Sequence, residues 1–307
     1  MTAADLPSSS LPTPAAAPRR RLVARHSPLV RVTHWINVLC FSLLLMSGAQ
    51  IFNAHPRLYW GEYGADFDHA WLAVQSLHDA RGWHGALRVG PLVLETTGVL
   101  GASPEGGGLV PRAFPSWLTI PSYQDLATGR RWHFFFAWLF AINGLVYLAA
   151  GFARRHFGRD LLPTRAELAP AHLAHEVVTH AKLRFPKGEA ARRYNVLQKL
   201  AYLGVIFVLL PGMVLTGLTM SPGLDSALHG LLDVFGGRQS ARAIHFICAS
   251  LLVAFVVVHL VMVVASGLWN NLRSMVTGRY AIEEEAMSAE RPPEGARAAV
   301  RAKEASR

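Results

Sequence analysis

Charge and cysteine are both scarce in this chain. Asp, Glu, Lys and Arg make up 16% of its 307 residues against 51% hydrophobic residues, and two cysteines are present. An ordinary soluble domain carries about 25% charged residues, so the composition argues against one. The two cysteines, Cys40 and Cys248, cannot frame a disulfide-rich fold or a four-cysteine metal centre. Both fall inside apolar runs and are expected to pack as small apolar groups. An apolar core is also missing ahead of the first arginines, where the sequence is rich in Ala, Pro and Ser, so no cleavable signal peptide is expected. Arg19-Arg20-Arg21 is compatible with a twin-arginine export signal, but the apolar run that follows carries a candidate ligand and is expected to stay in the membrane. No convincing hydrolytic or transferase site is legible, so catalysis on a soluble substrate is expected to belong to a partner.

What the chain does have is apolar residues in long runs. A helical crossing of a bilayer needs about 20 of them, and four runs qualify: about 29–52, 132–152, 196–220 and 243–269. The expected fold is all-α, an integral membrane four-helix bundle with a long outward-facing loop between the first and second helices. Residues 26–280 form this domain; 1–25 and 281–307 are expected to be disordered cytoplasmic tails. Lys and Arg crowd the N-terminal segment, from Arg19 to Arg31, and the connection between the second and third runs, from Arg154 to Arg193. Both segments are therefore expected to be cytoplasmic. The two remaining connections mix signs and should face outward. The net charge of +10 is thus a topology signal and not a sign of nucleic-acid binding. The loop from about 53 to 130 is too long for a simple connection and rich in Trp, Pro and Gly. It should form an ordered cap at the membrane surface, with a hairpin between 92–94 and 98–100. A surface helix at about 164–183, capped by Thr164 and Glu167, is expected on the inner side.

Inside the fourth run, His245 and His259 stand fourteen residues apart. On an α-helix that spacing puts them about 40° apart in direction and roughly 21 Å apart along the axis. Ionisable residues inside a membrane span mark function, and histidine commonly ligates haem iron. Partners are available in His34 of the first run and His133 of the second. With the N-terminus inside, His34 and His259 lie toward the cytoplasm, and His133 and His245 toward the outside. The four pair by depth, and each pair suits one iron between two imidazoles, a closed coordination that passes electrons. Gly48, Gly144 and Gly217 offer small surfaces to a flat cofactor. Arg31 and Arg25 flank the inner pair, and Arg130, Arg131 and Arg242 the outer, where haem propionates need cationic partners.

At the start of the third run, Asn195, Gln198 and Lys199 supply donors at the depth expected for the inner pair, suited to the carbonyl oxygens of a quinone. An ordinary polar helix start explains them equally well. His172, His175 and His180 are read as a solvated helix face rather than a metal site.

These residues resemble the bacterial dihaem b-type cytochromes that anchor nickel–iron hydrogenases, formate dehydrogenases and thiosulfate reductases. The resemblance spans about residues 26–280. It rests on Arg31-Val32-Thr33-His34-Trp35, Arg131-Trp132-His133, Tyr194-Asn195 with Gln198-Lys199, and His245 with His259. It implies four core helices, two bis-histidine haems b and quinone chemistry near the inner haem. In the formate dehydrogenase branch a similar Tyr-Asn and Gln-Lys stretch lies at the quinone pocket. The long outer loop departs from the better-known members. The thiosulfate-reductase-like cytochromes, whose partner is a molybdopterin enzyme, look most similar.

The expected function is an electron-transfer subunit in the bacterial inner membrane, with both termini cytoplasmic. It would pass electrons between an extracytoplasmic redox enzyme subunit and quinone, in contact with membrane lipid. The alternatives are a haem-free anchor or transporter and a self-sufficient membrane haem oxidoreductase.

Overall fold

A computed structural model of the chain describes residues 20–64, 68–80, 82–182, 195–225 and 227–283. Most of both expected tails lies outside these residues, as does Tyr194.

Four helical segments are long and apolar enough to cross a membrane, at Pro28–Ala54, Leu126–Ala153, Val196–Thr219 and Arg238–Ala265. Each boundary has a local cause. Strand β1 (Arg20–Ala24) leads to α1 (Pro28–Ala54), where the Ser27 hydroxyl accepts from the Val30 N–H at 3.4 Å and Pro28 opens the helix. The outer segment holds β2 (Arg57–Leu58), β3 (Leu72–Asp79), β4 (Gly82–Val89), β5 (Leu92–Glu95), β6 (Gly101–Glu105) and β7 (Gly108–Arg112). Helix α2 (Leu126–Ala153) starts six residues before the expected 132, because Asp125 caps it by accepting from the Thr128 N–H at 3.0 Å. Its first turn and a half is polar, so hydropathy alone places the start too late.

In the connection between the second and third crossings, α3 (Pro170–Ala181) is shorter than the expected 164–183. The Thr164 and Glu167 capping pair does form, with Glu167 accepting from the Thr164 N–H at 2.7 Å. It closes a single turn, since Pro170 disfavours helix at the residue before it. The third crossing comprises α4 (Val196–Gly204), a widened turn at Val205–Leu209 and α5 (Leu210–Thr219). Pro211 lacks an N–H and its ring crowds the carbonyl four residues back, which accounts for the widening. Short helices α6 (Pro222–Asp225) and α7 (His229–Phe235) lead to α8 (Arg238–Ala265), which follows Gly236-Gly237, both at positive φ. Helix α8 thus begins before the expected 243 and ends at Ala265, two residues before the positive-φ Gly267 and short of 269. Helix α9 (Leu268–Thr277) and strand β8 (Arg279–Glu283) end the described chain.

Helix α1 packs on α2, and α5 on α8. Away from these contacts the crossings present large apolar side chains, with Phe135 and Leu145 each 66% exposed and Val208 64%. Such a surface suits hydrocarbon and not water.

The all-α expectation is corrected by the outer cap. Strands β2-β3-β4-β5 form an antiparallel sheet, and β6 pairs with β7 in a separate hairpin. The expected pairing of 92–94 with 98–100 does not occur; Leu92–Glu95 pairs with Val89–Ala86 instead, around a two-residue turn at Gly90-Pro91. The two sheets cross closely at Gly85, where an added Cβ would lie 1.9 Å from the Leu100 carbonyl oxygen. Beneath them Phe52, Leu58, Val74 and Ala113 form a core with Trp71, Phe114 and Phe246, so the cap sits directly on the outer ends of α1 and α8. Polar ties reinforce this seat: the Gly61 carbonyl accepts from the N–H groups of Gln239 and Ser240, both at 3.2 Å, at the exposed start of α8.

At the opposite end β1 pairs antiparallel with β8, from Arg20 opposite Glu283 to Ala24 opposite Arg279. Order therefore extends past the expected domain limits of 26 and 280, because the two flanking segments satisfy each other's backbone groups.

Candidate functional site

The four histidines of the apolar runs meet in two pairs. The ring centres of His133 and His245 are 6.2 Å apart, and those of His34 and His259 are 6.4 Å apart, with the planes crossed at 61° and 63°. A metal–imidazole nitrogen bond is about 2 Å and the ring centre lies roughly 1 Å beyond the nitrogen, so two rings on opposite sides of one metal are centred about 6 Å apart. Both pairs fit that separation. Helix α8 contributes one member to each, α2 supplies the outer partner and α1 the inner.

The outer pair is held by hydroxyls. His133 Nδ1 is 3.0 Å from Ser47 Oγ of α1, and His245 Nδ1 is 3.0 Å from Thr216 Oγ1 of α5. The residue after each hydroxyl is glycine. A Cβ added at Gly48 would meet His133 Cε1 at 3.5 Å, and one at Gly217 would meet His245 Cε1 at 3.6 Å. The two glycines thus leave methyl-sized space beside the imidazoles, as a flat group bound there requires. A Cβ at Gly144 would meet nothing within 4 Å.

Rings surround the inner pair. Trp35 stands edge-on to His34 at 5.6 Å, and Phe255 stacks on His259 at 6.0 Å and 17°. The Trp35 indole N–H donates to the Met275 carbonyl at 3.1 Å, tying α1 to α9. A buried bridge lies one turn deeper, where Asn143 of α2 donates to the Thr33 carbonyl at 2.9 Å and to Asn37 Oδ1 at 2.8 Å. Just before α1, burial and then the Arg25 charge push the pKa of His26 down to about 4, so it adds no charge near the inner pair at neutral pH.

Three histidines have an arginine three residues before them, on the same helix face and toward the nearer membrane surface: Arg31, Arg130 and Arg242. Arg31 donates to the Val276 carbonyl at 3.1 Å, while its Nε is buried without a hydrogen-bond partner among the described residues. Arg130 lies over the Phe134 ring at 5.6 Å. Arg242 donates to the His55 carbonyl and lies over Phe52 at 5.9 Å, closing the end of α1. Arg131 is exposed and two residues from His133, about 200° round the helix. The structure therefore brings Arg130, not Arg131, to the His133 face.

Asn195, Gln198 and Lys199 organise the inner end of the third crossing. Asn195 Oδ1 accepts from the Leu197 N–H at 2.7 Å, and Gln198 Oε1 accepts from the Asn195 N–H at 3.2 Å, a capping box. The Asn195 amide donates to Glu176 of α3, and the Lys199 ammonium donates to Glu167 at 2.8 and 3.0 Å. Hydrogen bonds from Lys199, then from the Thr164 backbone, hold the Glu167 carboxyl below the usual range. On α3, His172 lies 3.9 Å from Glu176, and among the described residues no group of three or more His, Cys, Asp or Glu forms a metal cluster.

Sequence reasoning missed Ser47, Thr216 and Asn143. Their only sequence signal is a polar group inside an apolar run, shared by many plain packing residues. Comparison with known proteins adds independent information. The family model for prokaryotic cytochrome b561 matches residues 25–278. A protein of Azospira oryzae named "Putative protein-methionine-sulfoxide reductase subunit YedZ1" is 27% identical over 247 residues, covering 80% of this chain and 92% of that protein.

Proposed function

The chain belongs to the prokaryotic cytochrome b561 family, and on that premise we propose that it carries electrons across a membrane through two haems b, one at each histidine pair. Membership of the family implies haem b and electron transfer within a membrane. The observation that carries the count of two is the presence of two imidazole pairs, at 6.2 and 6.4 Å, each at the separation one iron requires.

A haem would supply one-electron transfer at each site, held by His133 and His245 at one and by His34 and His259 at the other. The protein does the rest. His133 and His245 fix one site between α2 and α8, and His34 and His259 fix the other between α1 and α8. Phe255 stacks on His259 between the two levels, so an apolar ring helps to exclude water along the path. Arg31, whose buried Nε has no hydrogen-bond partner among the described residues, and Arg130 and Arg242 stand at the membrane edges where the carboxylates of the group need cations.

On the inner side the path ends at a quinone beside the start of α4. The resemblance to formate dehydrogenase cytochromes supports this, as does the donor set: the capping box uses the amide oxygen of Gln198 and leaves its NH₂ uncommitted among the described residues. The Lys199 ammonium, with three N–H donors, can serve Glu167 and a quinone oxygen together. On the outer side the partner is a redox subunit docking near the cap, in keeping with a relative whose name makes it a reductase subunit. The arginine-rich segments face the cytoplasm of a bacterial inner membrane. Each electron moved over most of the membrane would then exchange about 2.3 kcal/mol per 100 mV with the membrane potential.

Paired substitutions test the assignment by pyridine-haemochrome content. His133→Ala and His245→Ala should each remove one haem, and their combination should remove no more than one. His245→Ala combined with His259→Ala should remove both. Loss of both haems in the first combination, with the chain still folded in the membrane, would contradict the pairing.

A further inference from the structure

We propose that Ser47 and Thr216 are positioning residues of the outer haem, locking His133 and His245 in the one tautomer that can ligate iron; this rests on the haem reading above. A hydroxyl has a single hydrogen and two lone pairs. Ser47 Oγ lies 2.6 Å from the Leu43 carbonyl oxygen and Thr216 Oγ1 lies 2.6 Å from that of Gly212, so each hydrogen is spent on the helix's own backbone four residues back. In the 3.0 Å contacts to Nδ1 the hydroxyl can therefore only accept. Nδ1 carries the proton and Nε2 presents its lone pair. The other arrangement gives up both 2.6 Å bonds and protonates Nε2, which then cannot bind a metal.

The geometry is repeated on two separate helices. In each case a Ser or Thr, followed by Gly, reaches from one crossing to the histidine of the next. Both hydroxyls have 0% relative exposure, so water cannot take over the contact. The inner imidazoles differ: among the described residues neither has a hydrogen-bond partner, and aromatic rings flank them. The two sites are thus built unequally, with the rigid ligand set on the outer side.

An imidazole donating from Nδ1 is a stronger electron donor through Nε2 and favours the oxidised metal. Removing the acceptor should make the outer haem easier to reduce and leave the inner one unmoved. The test is an optical redox titration of the full-length purified chain, with haem content measured in parallel. The outer component is identified by its disappearance in His133→Ala. Thr216→Val keeps the side-chain shape without the hydroxyl, and Ser47→Ala removes the other hydroxyl.

Each variant should raise the reduced-to-oxidised ratio of the outer component at fixed potential by a few-fold to about tenfold, tenfold being about 59 mV for one electron. Thr216→Ser should restore the parent value. Selective loss of the outer haem in Thr216→Val, with retention in Thr216→Ser, also supports the assignment. It is overturned if the outer component does not move in either variant, if both components move together, or if Thr216→Ser behaves as Thr216→Val does. A parent chain that contains no haem overturns the underlying reading, and that result is seen before any variant is made.

Discussion

Asn143 is a polar side chain buried between two membrane helices, and both of its donated bonds cross to α1 beside His34. Such bonds contribute about 0.6 kcal/mol each on average in membrane proteins, and up to about 1.7. Asn143→Leu should therefore destabilise the folded chain by about 1 to 2 kcal/mol, measured by unfolding in detergent, with the larger fall in haem content at the inner site. Glu167 gives a pH prediction. Its folded pKa lies below its unfolded value because Lys199 and the Thr164 backbone favour the carboxylate. The stability it contributes is thus complete above the ordinary carboxylate range and lost as pH falls through the depressed value. Unfolding measured against pH should show this acid loss in the parent and a weaker one in Lys199→Ala; identical profiles would remove the pair from the account. The four histidines were legible because imidazole is costly in an apolar run. Ser47 and Thr216 were not, since hydroxyls are common in membrane helices and their partners lie 86 and 29 residues away. The choice between Arg130 and Arg131 turned on helix phase, which the position of His133 already fixed.

Among the elements, the four crossings were readable from hydropathy, and their ends were not. Helix α2 begins with a polar turn and a half after its Asp125 cap, and α8 begins at a pair of positive-φ glycines, so composition and helix limits diverge at both. The cap was legible as an ordered object but not as a sheet. Its strands are short, and the turns that set their register, such as Gly90-Pro91 and Gly106-Gly107, are two residues long and easily read as loop. The close crossing at Gly85 yields a prediction for this element. With an added Cβ 1.9 Å from a backbone oxygen, Gly85→Ala must displace one sheet, at a cost of several kcal/mol. Proteolysis within the cap should accelerate strongly while the haem spectrum of the membrane helices persists. An unchanged cleavage rate would show that the sheets do not meet as described.

Across the whole molecule the structure has two unlike ends. One carries the sheet cap seated on α1 and α8. The other carries the β1–β8 ribbon, α9 and α3, with Arg25 over Tyr280 at 4.4 Å and Arg31 bound to Val276. In the topology proposed from the distribution of arginine, this second end faces the cytoplasm. Cysteine scanning reads this directly, because Cys40 and Cys248 are buried within α1 and α8. In intact cells a membrane-impermeant thiol reagent should label a cysteine placed at Leu94 and not one placed at Arg165; the reverse pattern would invert the proposed topology. The direct test of the central claim is the molar ratio of haem b to polypeptide in the purified parent chain, by pyridine haemochrome against amino-acid analysis. The account predicts two. A ratio that stays at one in fully haem-supplied, folded protein would contradict a conduit built from two histidine pairs.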